Sequence, residues 1–269
     1  MSNTWVGLAA DIARQTLAPQ AAHVDRTGAF PREGVKALAA SGLLGLMVPR
    51  AYDGQGEGPA TCARVLEELA AGCASTAAIY LFHSQVVRRL LDVATPAQQE
   101  RCLPGLAAGK LGASSWTEPG SGADKHGLAT TAVRSLGGFA VSGRKSFCTG
   151  AGEAAIYTVL VRMPGAGNRE GEAFGRGDQA FVILHGGMPG LSFGGHWDGM
   201  GLRGTATGEL ICERCRVPAD QLLGAEGDGP RIMALNRRSG LHPGLIGLGI
   251  ARAALDAAGE YVGTHGHGQ

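Results

Sequence analysis

The chain has 269 residues, of which 44% are hydrophobic and 17% charged, and its formal net charge at pH 7 is +1. That length can bury a sizeable core, in one large domain or two to three small ones, without metals or disulfides. The near-zero charge removes the electrostatic case for a nucleic-acid binder, and no apolar run approaches the roughly 20 residues that span a bilayer. Because the first residues also lack the features of a secretory signal, the protein is expected to be cytoplasmic.

The first 112 residues show the apolar spacing of amphipathic helices. Apolar residues repeat at i, i+3, i+4 and i+7 over residues 5–12, and a similar spacing runs over residues 35–46. Residues 61–91 form a long, Ala-rich helical pattern, in which Arg88 and Arg89 are predicted to mark the solvent face. Thr95 and Pro96 predict the start of another helix, because Thr favours the N-cap and proline the first turn.

After residue 112 the apolar pattern changes to a period of two, which is typical of strands. The clearest predicted strands are residues 139–143, 156–161 and 181–184, and the Gly-rich residues 163–178 are predicted to form a loop. A helical pattern returns near the end of the chain.

The predicted fold class is therefore α+β. It comprises an N-terminal helical domain (residues 1–112), a middle β-sandwich or barrel domain (113–225) and the start of a C-terminal helical domain (226–269).

The cysteines are expected to be reduced packing residues. The sequence has Cys62, Cys73, Cys102, Cys148, Cys212 and Cys215. The pair Cys212-x-x-Cys215 has no second Cys or His pair at zinc spacing. His265 and His267 lie on a Gly-rich tail without further ligands, so no metal site is predicted.

Residues 115–124 carry the densest chemical signal in the chain. A strand there is predicted to end in a turn of small residues, Gly120 to Ala123, whose backbone N–H groups can hold an anion such as a pyrophosphate. Thr117 places a hydroxyl at the mouth of that turn. On spacing alone, an ordinary Gly/Ser loop is the favoured alternative.

Residues 143–150 carry a second signal. In a regular strand Phe147 and Thr149 share one face, since side chains two positions apart point to the same side. An aromatic ring beside a hydroxyl makes a suitable wall for a flat heterocycle. Taken alone, Phe147 is better explained as an ordinary core residue.

Together the two segments resemble the acyl-CoA dehydrogenase family. The resemblance rests on Thr-Glu-Pro-Gly-x-Gly-x-Asp at residues 117–124 and Gly-Arg-Lys-x-Phe-x-Thr at residues 143–149. It continues through Gly-Met-Gly-Leu-Arg-Gly at residues 199–204 and Gly-x-Gly-Ile-Ala at residues 247–251, and covers essentially the whole chain.

The resemblance implies an FAD enzyme that desaturates an acyl thioester between its α and β carbons. The implied cofactor site consists of Trp116 (through its backbone), Thr117, Gly122, Ala123, Phe147 and Thr149. The implied partners are an acyl-CoA or acyl-carrier thioester, an electron-transfer acceptor and further subunits of a homo- or hetero-oligomer.

Several positions depart from the family pattern. Ala123 stands where the family usually has Ser, and Ser239-Gly240 stands where some members carry Glu-Arg, with that Glu as the catalytic base. The chain also lacks most of the family's C-terminal helical bundle. The nearest carboxylates are those of Glu118, Glu209 and Glu226, and no catalytic residue is assigned. A non-catalytic partner subunit and an inactive fragment therefore remain as alternatives.

Overall fold

The computed structural model describes residues 2–121, 127–165 and 177–264, and its first part is a bundle of helices. These are α1 (Ser2–Ile12), α2 (Ala18–Thr27), α3 (Arg32–Ala40), α4 (Pro59–Gly72), α5 (Ala74–Val93) and α6 (Pro96–Ala107). A π-helical turn at Ala13–Leu17 joins α1 to α2, next to Pro19, whose nitrogen has no proton for the helical ladder. Thr95 caps α6 as predicted, and the side chains of Thr95 and Gln98 each accept the other's backbone N–H.

Two helical expectations are corrected. Residues 61–91 are not one helix, because Gly72 ends α4 and the extended backbone of Cys73 starts a new direction before α5. The spacing over residues 35–46 is not helical throughout, since α3 ends at Ala40 and Gly42 adopts a φ of +80°. Leu46 is buried as the pattern required, but it lies in a turn.

The middle part is a single sheet in the described chain. Its strands are β1 (Gly112–Ser115), β2 (Thr131–Ser135), β3 (Gly138–Cys148), β4 (Ile156–Arg162), β5 (Gln179–His185), β6 (Leu191–His196), β7 (Gly208–Pro218) and β8 (Leu222–Leu223). Their order is β6-β7-β3-β2-β4-β5-β8, and β1 pairs parallel with β4 beside this path. The three predicted strands fall within β3, β4 and β5. Most of the predicted loop at 163–178 lies outside the described residues.

Two further helices, α7 (Gly229–Arg238) and α8 (Gly244–Thr264), return to the N-terminal bundle. Arg252 of α8 forms ion pairs with Glu67 and Glu68 of α4, with N···O distances of 2.9 and 2.7 Å. Pro243 stands between α7 and α8. The chain turns there because proline cannot continue the hydrogen-bond ladder.

The α+β fold class is confirmed: helices precede a β-sheet, and two C-terminal helices follow it. The boundaries after residues 112 and 225 stay predictions. The six cysteines are free and buried, as expected for packing thiols. In the described ranges, none of the helices has the length and apolar character to cross a membrane.

His83 joins three parts of the fold from the middle of α5. Its Nδ1 accepts from the backbone N–H of Gly112, 3.1 Å away, so the proton lies on Nε2, which donates to the carbonyl of Leu44 at 2.8 Å. Burial lowers the pKa of His83 from 6.5 to about 4, although the bond to Leu44 raises it. The ring is therefore neutral in the folded protein at pH 7.

The pKa of His83 predicts acid sensitivity. Unfolding lets the ring bind a proton, so its contribution to stability is complete above about pH 6.5 and is lost as pH falls towards 4. The loss across that window is about 3 kcal/mol. Urea unfolding at several pH values is expected to show a shallower decline for His83→Gln than for the parent protein. His23→Gln, at an exposed position in α2, is the matched control, and an equal effect of both substitutions contradicts the prediction.

Candidate functional site

Two adjoining cavities lie where α5, the sheet and the α7–α8 junction meet. The first, of about 170 Å³, has Thr149, Thr205 and Thr207 in its wall and is called the threonine cavity. The second, of about 330 Å³, has the amides of Gln85 and Asn236 in its wall and is called the amide cavity. Both are also lined by Phe82 and Phe147, so the two cavities meet at these rings.

The hydroxyls of the threonine cavity form a chain. Thr205 donates to the carbonyl of Leu202 at 2.8 Å, so its hydroxyl oxygen accepts from Thr207, 2.7 Å away. Thr207 can in turn accept from Thr149, at 3.1 Å. These hydrogen bonds fix the donor and the acceptor in each pair of hydroxyls. The cavity wall therefore presents an ordered set of hydroxyl oxygens to a ligand.

Phe147 and Thr149 line the same cavity, but not through the regular strand that the sequence predicted. Phe147 has a φ of +57°, and the register of β3 against β7 shifts between Lys145 and Cys148. Thr149 lies one residue beyond the end of β3. A β-bulge therefore turns Phe147 outwards, because such a bulge re-aims side chains.

The bulge leaves aromatic surface open at the cavity. Phe147 is 56% exposed, and its ring lies 4.9 Å from that of Trp197, which is 52% exposed. Large apolar side chains with this much exposed area at a cavity mark a place where a flat ligand can bind. Trp197 was missed in the sequence, where nothing in its spacing connects it to Phe147.

Trp116 and Thr117 line the amide cavity. The indole N–H of Trp116 donates to the hydroxyl of Ser114 at 2.8 Å, and the carbonyl of Thr117 accepts from the backbone N–H of Ser146 at 2.8 Å. The two sequence signals are thus hydrogen-bonded neighbours. Gly122 and Ala123 lie outside the described residues.

Glu118 faces the interior instead of a cavity. Its carboxylate accepts from Lys145 Nζ at 2.7 Å and from the backbone N–H groups of Ala129 and Thr130, at 2.6 and 2.9 Å. Burial alone would raise the pKa of Glu118, but these donors, Lys145 foremost, hold it below its usual value. The pair is structural, since both side chains are almost fully buried.

The other two carboxylates near the motifs, those of Glu209 and Glu226, each pair with an arginine. Glu209 lies 3.6 Å from Arg144, and Glu226 accepts from Arg134. Among the described residues, no Asp or Glu lines either cavity. In the same residues, no group of three or more His, Cys, Asp or Glu is placed to hold a metal ion.

Ser239 has a structural role at the end of α7. Its hydroxyl donates to the carbonyl of Asn236 at 2.7 Å and accepts from the backbone N–H of Leu241 at 3.2 Å. It thereby stabilises the turn that brings Asn236 and Pro243 to the cavities. The exposed Arg237 and Arg238 line neither cavity.

The prediction that Arg89 faces solvent is wrong, because this side chain is only 3% exposed. Its guanidinium donates to Ser114 and Asn236, each at 2.9 Å, and to Thr158. The helical spacing could have indicated this burial. Residues 82, 85 and 89 share one face of α5, and residues 82 and 85 line the amide cavity.

The chain is similar to proteins of one family over most of its length. The family model for the acyl-CoA dehydrogenase N-terminal domain matches residues 4–110, and that for the middle domain matches residues 113–215. Acyl-CoA dehydrogenase of Bacillus subtilis is 35% identical over 259 residues, which are 93% of this chain and 65% of that protein.

Solved structures show the same similarity. Butyryl-CoA dehydrogenase from Megasphaera elsdenii is 30% identical with a TM-score of 0.90, over 100% of this chain and 70% of that one. An acyl-CoA dehydrogenase from Bacillus anthracis complexed with FAD shares the fold, with 24% identity, a TM-score of 0.84 and coverage of 99% and 46%. The chain spans just under two thirds of the length of the curated relatives that it matches first.

Proposed function

Because this chain belongs to the acyl-CoA dehydrogenase family, we propose that its two cavities bind FAD and an acyl thioester, carried by CoA or a carrier protein, for α,β-desaturation. The observation that carries the proposal is the convergence of Phe147, Thr149, Trp116 and Thr117 on adjoining cavities. These residues come from the two segments whose sequence resembles the family's cofactor site.

The wall of the threonine cavity fits a flavin in shape and chemistry. The open faces of Phe147 and Trp197 suit a flat ring system, and the hydroxyl chain of the three threonines suits its polar edge. When bound, the flavin supplies the hydride acceptor for the reaction. The chain itself would hold the ring against Phe147, orient its edge through Thr149 and exclude water with Phe82 and Leu202.

A second candidate function is a non-catalytic subunit that supports a catalytic homologue. It is favoured by the absence of any carboxylate among the described residues that line the cavities. The outer face of α8 is suited to such a partner or to a second copy, since Leu248, Leu255, Tyr261 and Val262 are 54 to 73% exposed.

Flavin retention tests the proposed site. We expect the purified chain to bind FAD, and we expect Phe147→Ala and Thr149→Val each to weaken FAD binding, by roughly tenfold for the lost ring contact and severalfold for the lost hydroxyl. The measurement is a flavin-fluorescence titration of the apoprotein. Leu136→Ser, at a fully exposed hairpin tip, is the control. Unchanged affinity in both cavity variants would exclude this site, and no flavin binding at all would favour the inactive fragment.

A further inference from the structure

Arg89 is a buried cation without a carboxylate of its own. It lies between two aromatic rings, with its guanidinium carbon 5.3 Å from the ring centre of Trp116 and 4.9 Å from that of Phe181. Among the described residues, no carboxylate forms an ion pair with it. The nearby Asp92 has both oxygens on Arg88, at 3.0 and 2.6 Å. The cluster of Arg88, Arg89 and Asp92 therefore keeps one net positive charge.

This charge persists at neutral pH. Burial lowers the pKa of Arg89 to about 9, against the raising effect of Asp92. In the described chain, its guanidinium donates to neutral oxygens of Ser114, Thr158 and Asn236, and its Nε is buried without a partner. A buried charge that only neutral groups stabilise is costly, and it favours a negative charge nearby.

The amide cavity is the open space beside this charge. Ser114, Trp116 and Asn236, which contact Arg89, all line it. A guanidinium has donors only, so the amide oxygen of Asn236 must face Arg89. The amide nitrogen is then left with two N–H groups, for which no acceptor is found in the described residues. Arg89 thus fixes Asn236 as a donor in the cavity wall.

We propose that the amide cavity selects an acyl group that carries an acceptor oxygen, in the clearest case a second carboxylate, over a plain alkyl chain of equal length. Asn236 is the residue that donates to this oxygen, and Arg89 is the positioning residue that orients Asn236 and supplies the positive field. The inference rests on the proposed function, because it assigns the acyl end of the thioester to this cavity. An alkyl chain there would leave the amide of Asn236 without a partner.

The test is a comparison of two thioesters that differ only at the end of the acyl chain. Glutaryl-CoA and pentanoyl-CoA have five acyl carbons each, and only the former ends in a carboxylate. We expect calorimetry with the flavin-saturated protein, without an electron acceptor, to give roughly tenfold tighter binding of glutaryl-CoA, as for one charge-assisted hydrogen bond.

Three variants assign the preference to its residues. Asn236→Leu and Arg89→Met are expected to bring the affinity ratio close to one, mainly through weaker glutaryl-CoA binding. Arg101→Met removes the same charge at an exposed ion pair with Asp220, and is expected to keep the ratio. If Arg89→Met does not fold, Asn236→Leu alone decides, because its side chain lies on the cavity wall.

The outcomes separate the inference from the proposed function. Equal binding of the two thioesters, tighter binding of pentanoyl-CoA or an unchanged ratio in Asn236→Leu overturns the inference and leaves the proposed function standing. Binding of neither thioester overturns the proposed function, and the inference falls with it.

Discussion

Lys145→Met is expected to destabilise the protein by about 3–5 kcal/mol, which is a large part of the stability of a typical domain. Lys145 is 0% exposed and neutralises the buried Glu118, which also accepts from the backbone N–H groups of Ala129 and Thr130 just before β2. Removing the ammonium leaves a buried carboxylate with amide donors only. Urea unfolding at pH 7 measures the loss.

The pH dependence identifies the cause. Since the pKa of Glu118 lies below its usual 4.5 in the folded protein, the pair stabilises at higher pH and loses its effect as pH falls through the lowered pKa. The difference between the parent and Lys145→Met is therefore expected to shrink at acid pH. The double variant Lys145→Met/Glu118→Leu is expected to be more stable than the single one, because it removes both charges. A loss below 1 kcal/mol at pH 7 would show that the pair is not essential.

The chain by itself is expected to remove the α-proton of an acyl thioester roughly 10²–10⁴ times more slowly than an enzyme with a placed general base. The reason is that none of the described residues in either cavity wall is an Asp or Glu. Flavin bleaching without oxygen, with a panel of acyl-CoA substrates, measures the chemistry. Co-expression with a homologous subunit is expected to restore the rate if that subunit supplies the base.

A matched variant tests whether a carboxylate of the chain outside the cavity walls acts as the general base. Glu209 pairs with Arg144 and lines neither cavity, so Glu209→Gln is expected to leave the slow rate unchanged. Acetate added in solution is expected to accelerate bleaching, since it can act as an external base. Rapid bleaching by a strictly monomeric sample would contradict the prediction and indicate a base among the residues outside the described ranges.

The sequence by itself determined the succession of a helical part, a β part and a helical end, and it pointed to one candidate site. Periods of 3.6 and 2 distinguish helices from strands because they record which side chains are buried, and that information is local. The motifs at residues 117–124 and 143–149 pointed to one site, and Trp116, Thr117, Phe147 and Thr149 do line adjoining cavities.

Only the tertiary structure decided in which direction the site side chains point and which charged side chains are buried. Phe147 reaches its cavity through a bulge whose register depends on β7, a strand far away in the sequence. The sequence pattern placed Arg89 on a solvent face and Glu118 among the carboxylates nearest the motifs. In the structure Arg89 is enclosed by Trp116 and Phe181, and Glu118 is buried and neutralised by Lys145. Burial of a charge depends on partners brought together by the fold, and the local periodicity of a helix or strand contains no record of them.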